Sequence, residues 1–136
     1  MLFDRDVRRF QAADRNTRLE ALLDHSRKLP ELPERFRVAR EAGRNQVTEC
    51  QTPVFLFAER EDGQVRLFAD VPRESPTVRG YVSLLIRTMD GAAPEEIAAV
   101  PDNLLEQLRL TETLGMMRTQ GLTAILGRIK RLAAGA

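Results

Sequence analysis

The sequence predicts an α+β fold in which a small antiparallel sheet of about three strands packs against helices. Three observations carry this. Val78, Tyr81, Val82, Leu85 and Met89 recur at helical spacing. Two strand-like runs, Val54 to Ala58 and Gln64 to Ala69, flank Glu61, Asp62 and Gly63, a hairpin signal. Leu122, Ile125, Leu126 and Ile129 form one apolar stripe near the C-terminus. A chain of 136 residues has room for one substantial core, so a single domain over residues 1–136 is expected.

In chain order, Phe3, Val7 and Phe10 fall at the spacing of a short amphipathic helix, read as an N-terminal extension over residues 1–15. Thr17 and Glu20 form a capping pattern that opens a second helix, with Leu19, Leu22 and Leu23 on one face towards Leu29 and Pro30 stopping it. Leu29 to Pro33 alternates leucine and proline, which makes an extended connector because each proline fixes its own φ and disfavours helix before it. Phe36 and Val38 are expected to pin the segment that follows, and Gln46 to Thr48 to form a short first strand. Pro53 then sits at the head of a central strand, where a missing donor is tolerated.

Beyond the hairpin, Ser75 and Pro76 read as N-cap and first residue of the main core helix, which ends at Gly91. Its Gly80 is expected to allow close approach to a strand. Pro94, Glu95 and Glu96 open a short helix, and Asp102 caps another containing Leu104, Leu105 and Leu108. The last helix starts near Met116, with Arg128, Lys130 and Arg131 towards its negative end.

Composition narrows function by exclusion. The net charge of +1 gives no generic pull towards nucleic acid or an acidic membrane. One cysteine excludes an internal disulfide and any multi-thiolate metal site within one chain, so neither a metal nor another cofactor is expected. No run is long enough to span a bilayer, and Met1 to Arg9 is too charged for a secretory signal, so a cytoplasmic protein is expected.

The chemistry is expected at Cys50. A lone cysteine is by default a small buried hydrophobe, but Thr48, Glu49, Gln51 and Thr52 are a poor setting for one, because a buried loop would have to satisfy all their polar groups. Partial exposure is the better inference. Arg118, four residues before Leu122 and seven before Ile125, brings a guanidinium to the side of the core stripe and is the most suggestive distant partner; Gly121 beside it marks close packing. His25 has no second histidine in the chain and reads as a surface residue, and Met116 and Met117 as packing residues that could also form an adaptable docking surface.

With those residues in view, the sequence resembles the SufE family of sulfur acceptors for cysteine desulfurases. Lys28, Leu29, Pro30, Glu31, Leu32 and Pro33 resemble its leucine-proline segment; Glu49, Cys50, Gln51 and Thr52 stand at its Gly-Cys-Gln-Ser core. Val78, Arg79, Gly80 and Tyr81 resemble its valine-lysine/arginine-glycine-leucine segment, and Arg118 to Leu122 its Arg-x-x-Gly-Leu motif. Glu49 in place of glycine, Phe55 in place of tryptophan, and Asp70, Val71, Pro72 in place of a more acidic turn are departures. The resemblance implies a fold shared with IscU-type scaffolds and a persulfide on Cys50, supported by Arg118 and, through loop hydrogen bonds, Gln51. It also implies a SufS-like cysteine desulfurase as donor and a SufBCD-like complex as acceptor, with the chain itself an accessory protein rather than an enzyme. A single-cysteine redox sensor or a non-catalytic adaptor is the alternative from other classes.

Overall fold

The computed structural model describes residues 1–136. Helix α1, Asp4–Ala12, turns Phe10 into the core, and Phe3 just before it is fully buried. Helix α2, Arg15–Ser26, begins earlier than the Thr17 pattern implies. Asp14 is its cap, accepting the Thr17 N–H at 2.8 Å, so Thr17 is the third helical residue and not the first boundary. Its buried face is Arg18, Leu22 and Ser26, one residue every fourth position. Arg18 lies in the core without a carboxylate partner and donates instead to Thr113 Oγ1 and the Ala13 carbonyl.

A 3-10 turn, Glu34–Phe36, runs into α3, Arg37–Glu41. Phe36 stacks on Phe57 at 4.6 Å between ring centroids and lies 5.0 Å from Phe68, covering the outer face of the sheet. Val38 does not share that task; it is exposed on the far side of its short helix.

The sheet has two strands, β1, Phe55–Glu61, and β2, Gln64–Asp70, paired antiparallel from Phe55↔Asp70 to Glu61↔Gln64. Asp62 and Gly63 both adopt positive φ, the geometry of the two-residue turn their sequence requires. The expected third strand is reduced to one bridge, Gln46↔Phe55. Asn45 is already left-handed at φ 63°, and a turn begins after Val47, so no longer ladder can form.

Helix α4, Pro76–Met89, is the buried centre of the molecule, packed on α2, β2 and the last helix. Ser75 holds the cap position but makes no side-chain capping bond. Gly80 does permit a close approach, to α2 rather than to a strand: a Cβ there would overlap the Leu22 carbonyl. Arg79 donates to the Ser26 and Val71 carbonyls, joining the end of α2 to the end of β2.

Helix α5, Pro94–Ala98, is followed by α6, Leu104–Gln107, α7, Leu110–Leu114, and α8, Met116–Gly135. Asn103, not Asp102, occupies the cap position of α6, because Lys130 draws Asp102 away into an ion pair at 2.9 Å. Helix α7 has no counterpart among the elements expected from the sequence. It is set off from α6 by Arg109, left-handed at φ 58°.

His25 is half-buried rather than fully on the surface, with Nδ1 3.3 Å from Arg87 Nη1. Burial and then Arg87 push its pKa down, with Lys28 adding to the effect and Asp6 and Asp24 opposing it. A folded-state value below the unfolded value of about 6.5 means the unfolded chain binds the proton first. Stability is therefore expected to fall as pH drops below about 6.5, down to the folded-state pKa. His25→Gln should flatten that part of a melting-temperature profile.

Candidate functional site

The loop that carries Cys50 is closed at its base by backbone bonds. The Val47 N–H donates to the Val54 carbonyl at 2.8 Å, and the Leu56 N–H to the Asn45 carbonyl at 3.1 Å. Asn45 adds a side-chain bond, its Nδ2 donating to the Leu56 carbonyl at 2.9 Å. Within the loop the Cys50 N–H turns back to the Val47 carbonyl at 3.2 Å. Val47 and Val54 are fully buried, so the base is anchored while Thr48, Glu49 and Gln51 at the tip are exposed.

Cys50 itself is half-buried and packed against the edge of the core. It lines a recess of about 230 Å³ together with Gln51, Val78, Met117, Arg118 and Gly121. The three residues singled out for the site, Cys50, Gln51 and Arg118, thus meet in one concavity built by the loop and the starts of α4 and α8. Arg118 occupies the first turn of α8 and is exposed; its Nη1 donates to Thr77 Oγ1 in the first turn of α4. Its head reaches a hydroxyl, not a carboxylate. Gln51 makes no side-chain hydrogen bond within the chain, so the loop bonds assigned to it are absent here.

Gly121 is what lets the loop sit against α8. A Cβ at that position would lie 3.1 Å from Cys50 Cα, 3.3 Å from its Cβ and 3.4 Å from Sγ. The close packing expected of this glycine is therefore with the cysteine. Met116 and Met117 are not packing residues: they are 79% and 93% exposed, and Met117 flanks the recess.

Two contributors escape sequence reasoning. Thr77 carries no motif and is found only through Arg118. Arg128 reads as a helix-end charge, yet its Nη1 donates to the Gln46 carbonyl at 3.4 Å and its Nη2 lies 4.0 Å from Glu49 Oε1. Glu49, the charge that stands beside the thiol, is thereby turned towards a cation on α8. Opposite signs at these two positions are the one available clue, and spacing could not connect them. No group of three or more His, Cys, Asp or Glu side chains converges to hold a metal, and no helix is long and apolar enough to cross a membrane.

Comparison with known proteins follows the same outline. Residues 4–133 match a family model described as "SufE: Fe-S metabolism associated domain". The chain is 36% identical over 115 residues to an uncharacterized SufE-like protein found in two strains of Mycobacterium tuberculosis, covering 84% of this chain and 78% of the relative. An uncharacterized SufE-like protein of Synechocystis is 33% identical over 116 residues, covering 85% and 69%. The solution structure of a hypothetical protein from Thermus thermophilus superimposes with a TM-score of 0.82 at 32% identity, over 99% of this chain and 95% of that one. Sequence match and superposition both run nearly end to end, and the chain belongs to the SufE family of iron-sulfur metabolism.

Proposed function

We propose that this protein is a sulfur acceptor and carrier that takes persulfide sulfur from a SufS-like cysteine desulfurase onto Cys50 and passes it to a SufBCD-like cluster-assembly scaffold in the cytoplasm. The observation that carries this reading is the position of the lone thiol: half-buried on a loop clamped at its base, in a recess shared with Arg118 and Gln51. A core thiol would have no such access.

The step is a thiol–persulfide exchange. Cys50 thiolate attacks the outer sulfur of the donor persulfide; a new S–S bond forms at Cys50, the donor's S–S bond breaks, and the donor's cysteine leaves as thiolate. The proton on the outer sulfur travels with it, so charge and atoms balance. Arg118 places a positive group in the same recess as the thiol, where the incoming persulfide must dock. Its bond to Thr77 holds the guanidinium there without neutralising it. Half-burial shelters the product from small thiols, and docking of the donor draws the loop outward.

Intact-protein mass spectrometry after incubation with cysteine and an active cognate desulfurase tests the reading. Wild type should gain sulfur that reductant removes, Cys50→Ser should gain none, and desulfurase turnover should rise only with wild type. An active desulfurase that leaves the wild-type mass unchanged would sink it, leaving the sensor and adaptor alternatives.

A further inference from the structure

A second recess, about 520 Å³, lies between the leucine-proline connector, the end of β2 and the start of α4. It backs onto the Cys50 recess: Thr52 and Val78 line one, and their chain neighbours Pro53 and Arg79 line the other. Its walls carry four arginines, Arg37, Arg40, Arg73 and Arg79. Arg40 is neutralised by Asp70 at 2.7 Å, and Arg37 by Glu34 at 3.0 Å. Arg73 and Arg79 form no ion pair. The remaining carboxylates of the lining, Glu31 and Glu74, are exposed, where water and salt screen them.

Arg79 is the unusual member, because only 6% of it is exposed. A buried guanidinium ordinarily has a carboxylate partner, since desolvating an unpaired charge is costly. Here two of its five N–H groups are used, both on neutral carbonyls, of Ser26 and Val71. Its Nη2 makes no hydrogen bond within the protein, and Arg79 lines the recess. Burial and then the nearby Arg73 press its pKa downward, with Asp70 acting the other way. Two like charges lining one recess, one of them with spare planar donors, make a site for an oxyanion.

We infer that this recess binds a small oxyanion, a phosphate or a carboxylate, with Arg79 as the directed donor and Arg73 as the second positive group. The site is separate from the thiol and its binding does not depend on sulfur transfer.

The test is an arginine-selective ¹⁵N spectrum of the full chain at constant ionic strength. Inorganic phosphate should shift the Arg79 Nε–Hε resonance saturably, whereas sodium chloride should not. Arg73→Gln should weaken that response roughly ten-fold, the scale of one charge-assisted hydrogen bond, at an unchanged melting temperature. Arg5→Gln, on the exposed face of α1, should leave it as in wild type. N-acetylglutamate is titrated in parallel, and the tighter ligand identifies the head group as phosphate or carboxylate. A response to neither ligand, an equal response to chloride, or an Arg73→Gln curve that overlays wild type would overturn the inference.

Discussion

Gly80→Ala is expected to lower the melting temperature by about 10 °C, because Gly80 is the one glycine whose added Cβ would come under 3.0 Å from other atoms. The new Cβ would overlap the Leu22 carbonyl oxygen and lie 2.7 Å from its carbon and 3.0 Å from Leu22 Cα. All of these are backbone atoms inside α2, so no side chain can rotate away; the two helices must separate along their shared face. Overpacking of this kind costs about 1–3 kcal/mol, and the backbone contact places it at ~3. Alanine's better helix propensity returns only about 1 kcal/mol of that. At a few degrees per kcal/mol for a chain of this size, the net loss is visible in a thermal melt followed by circular dichroism. An unchanged or raised melting temperature would mean that α2 and α4 are not locked at this point.

Gly121→Val should impair sulfur acceptance more than it destabilises the fold. Its Cβ would press on Cys50 Cα, which belongs to an exposed loop and can give way outward. Stability should fall by no more than about 1–2 kcal/mol. Sulfur acceptance in the mass-spectrometric assay should drop on the order of a hundred-fold, the usual consequence of misplacing a reacting group by about 1 Å. Reaction of Cys50 with a small disulfide reagent should rise at the same time, because the displaced loop is more accessible. Transfer that persists at the wild-type rate would show that the seat on α8 is dispensable.

The two glycines also mark what a sequence can and cannot disclose here. Local rules found the hairpin at Asp62 and Gly63, the main helix from Pro76, and the stripe of α8, because each depends on neighbours within a turn or two of chain. They misplaced the start of α2, where two capping residues compete within four positions, and the cap of α6, where Lys130 takes Asp102 from a distance. They missed α7, whose boundary is a left-handed arginine, a conformation that residue type does not announce. At the site, the polar flanks of Cys50 foretold its partial exposure, and the helical phase of Arg118 foretold its side of α8. What Gly80 and Gly121 touch, and the turning of Glu49 towards Arg128, are long-range facts of packing. Val38, Met116 and Met117 show the converse limit: apolar type alone did not bury them.

The clamp at Val47 and Val54 sets a leash on the Cys50 thiol. Cys50 is three peptide steps from one post and four from the other, so with that clamp closed its Cα can stray at most roughly 11 Å from Val47. Such a tether is too short to shuttle between distant stations as a swinging arm does. Under the proposed sulfur-carrier role, delivery would be by ferry: the whole protein would leave one partner and berth at the next, and each partner would have to bring its own cysteine to within that radius.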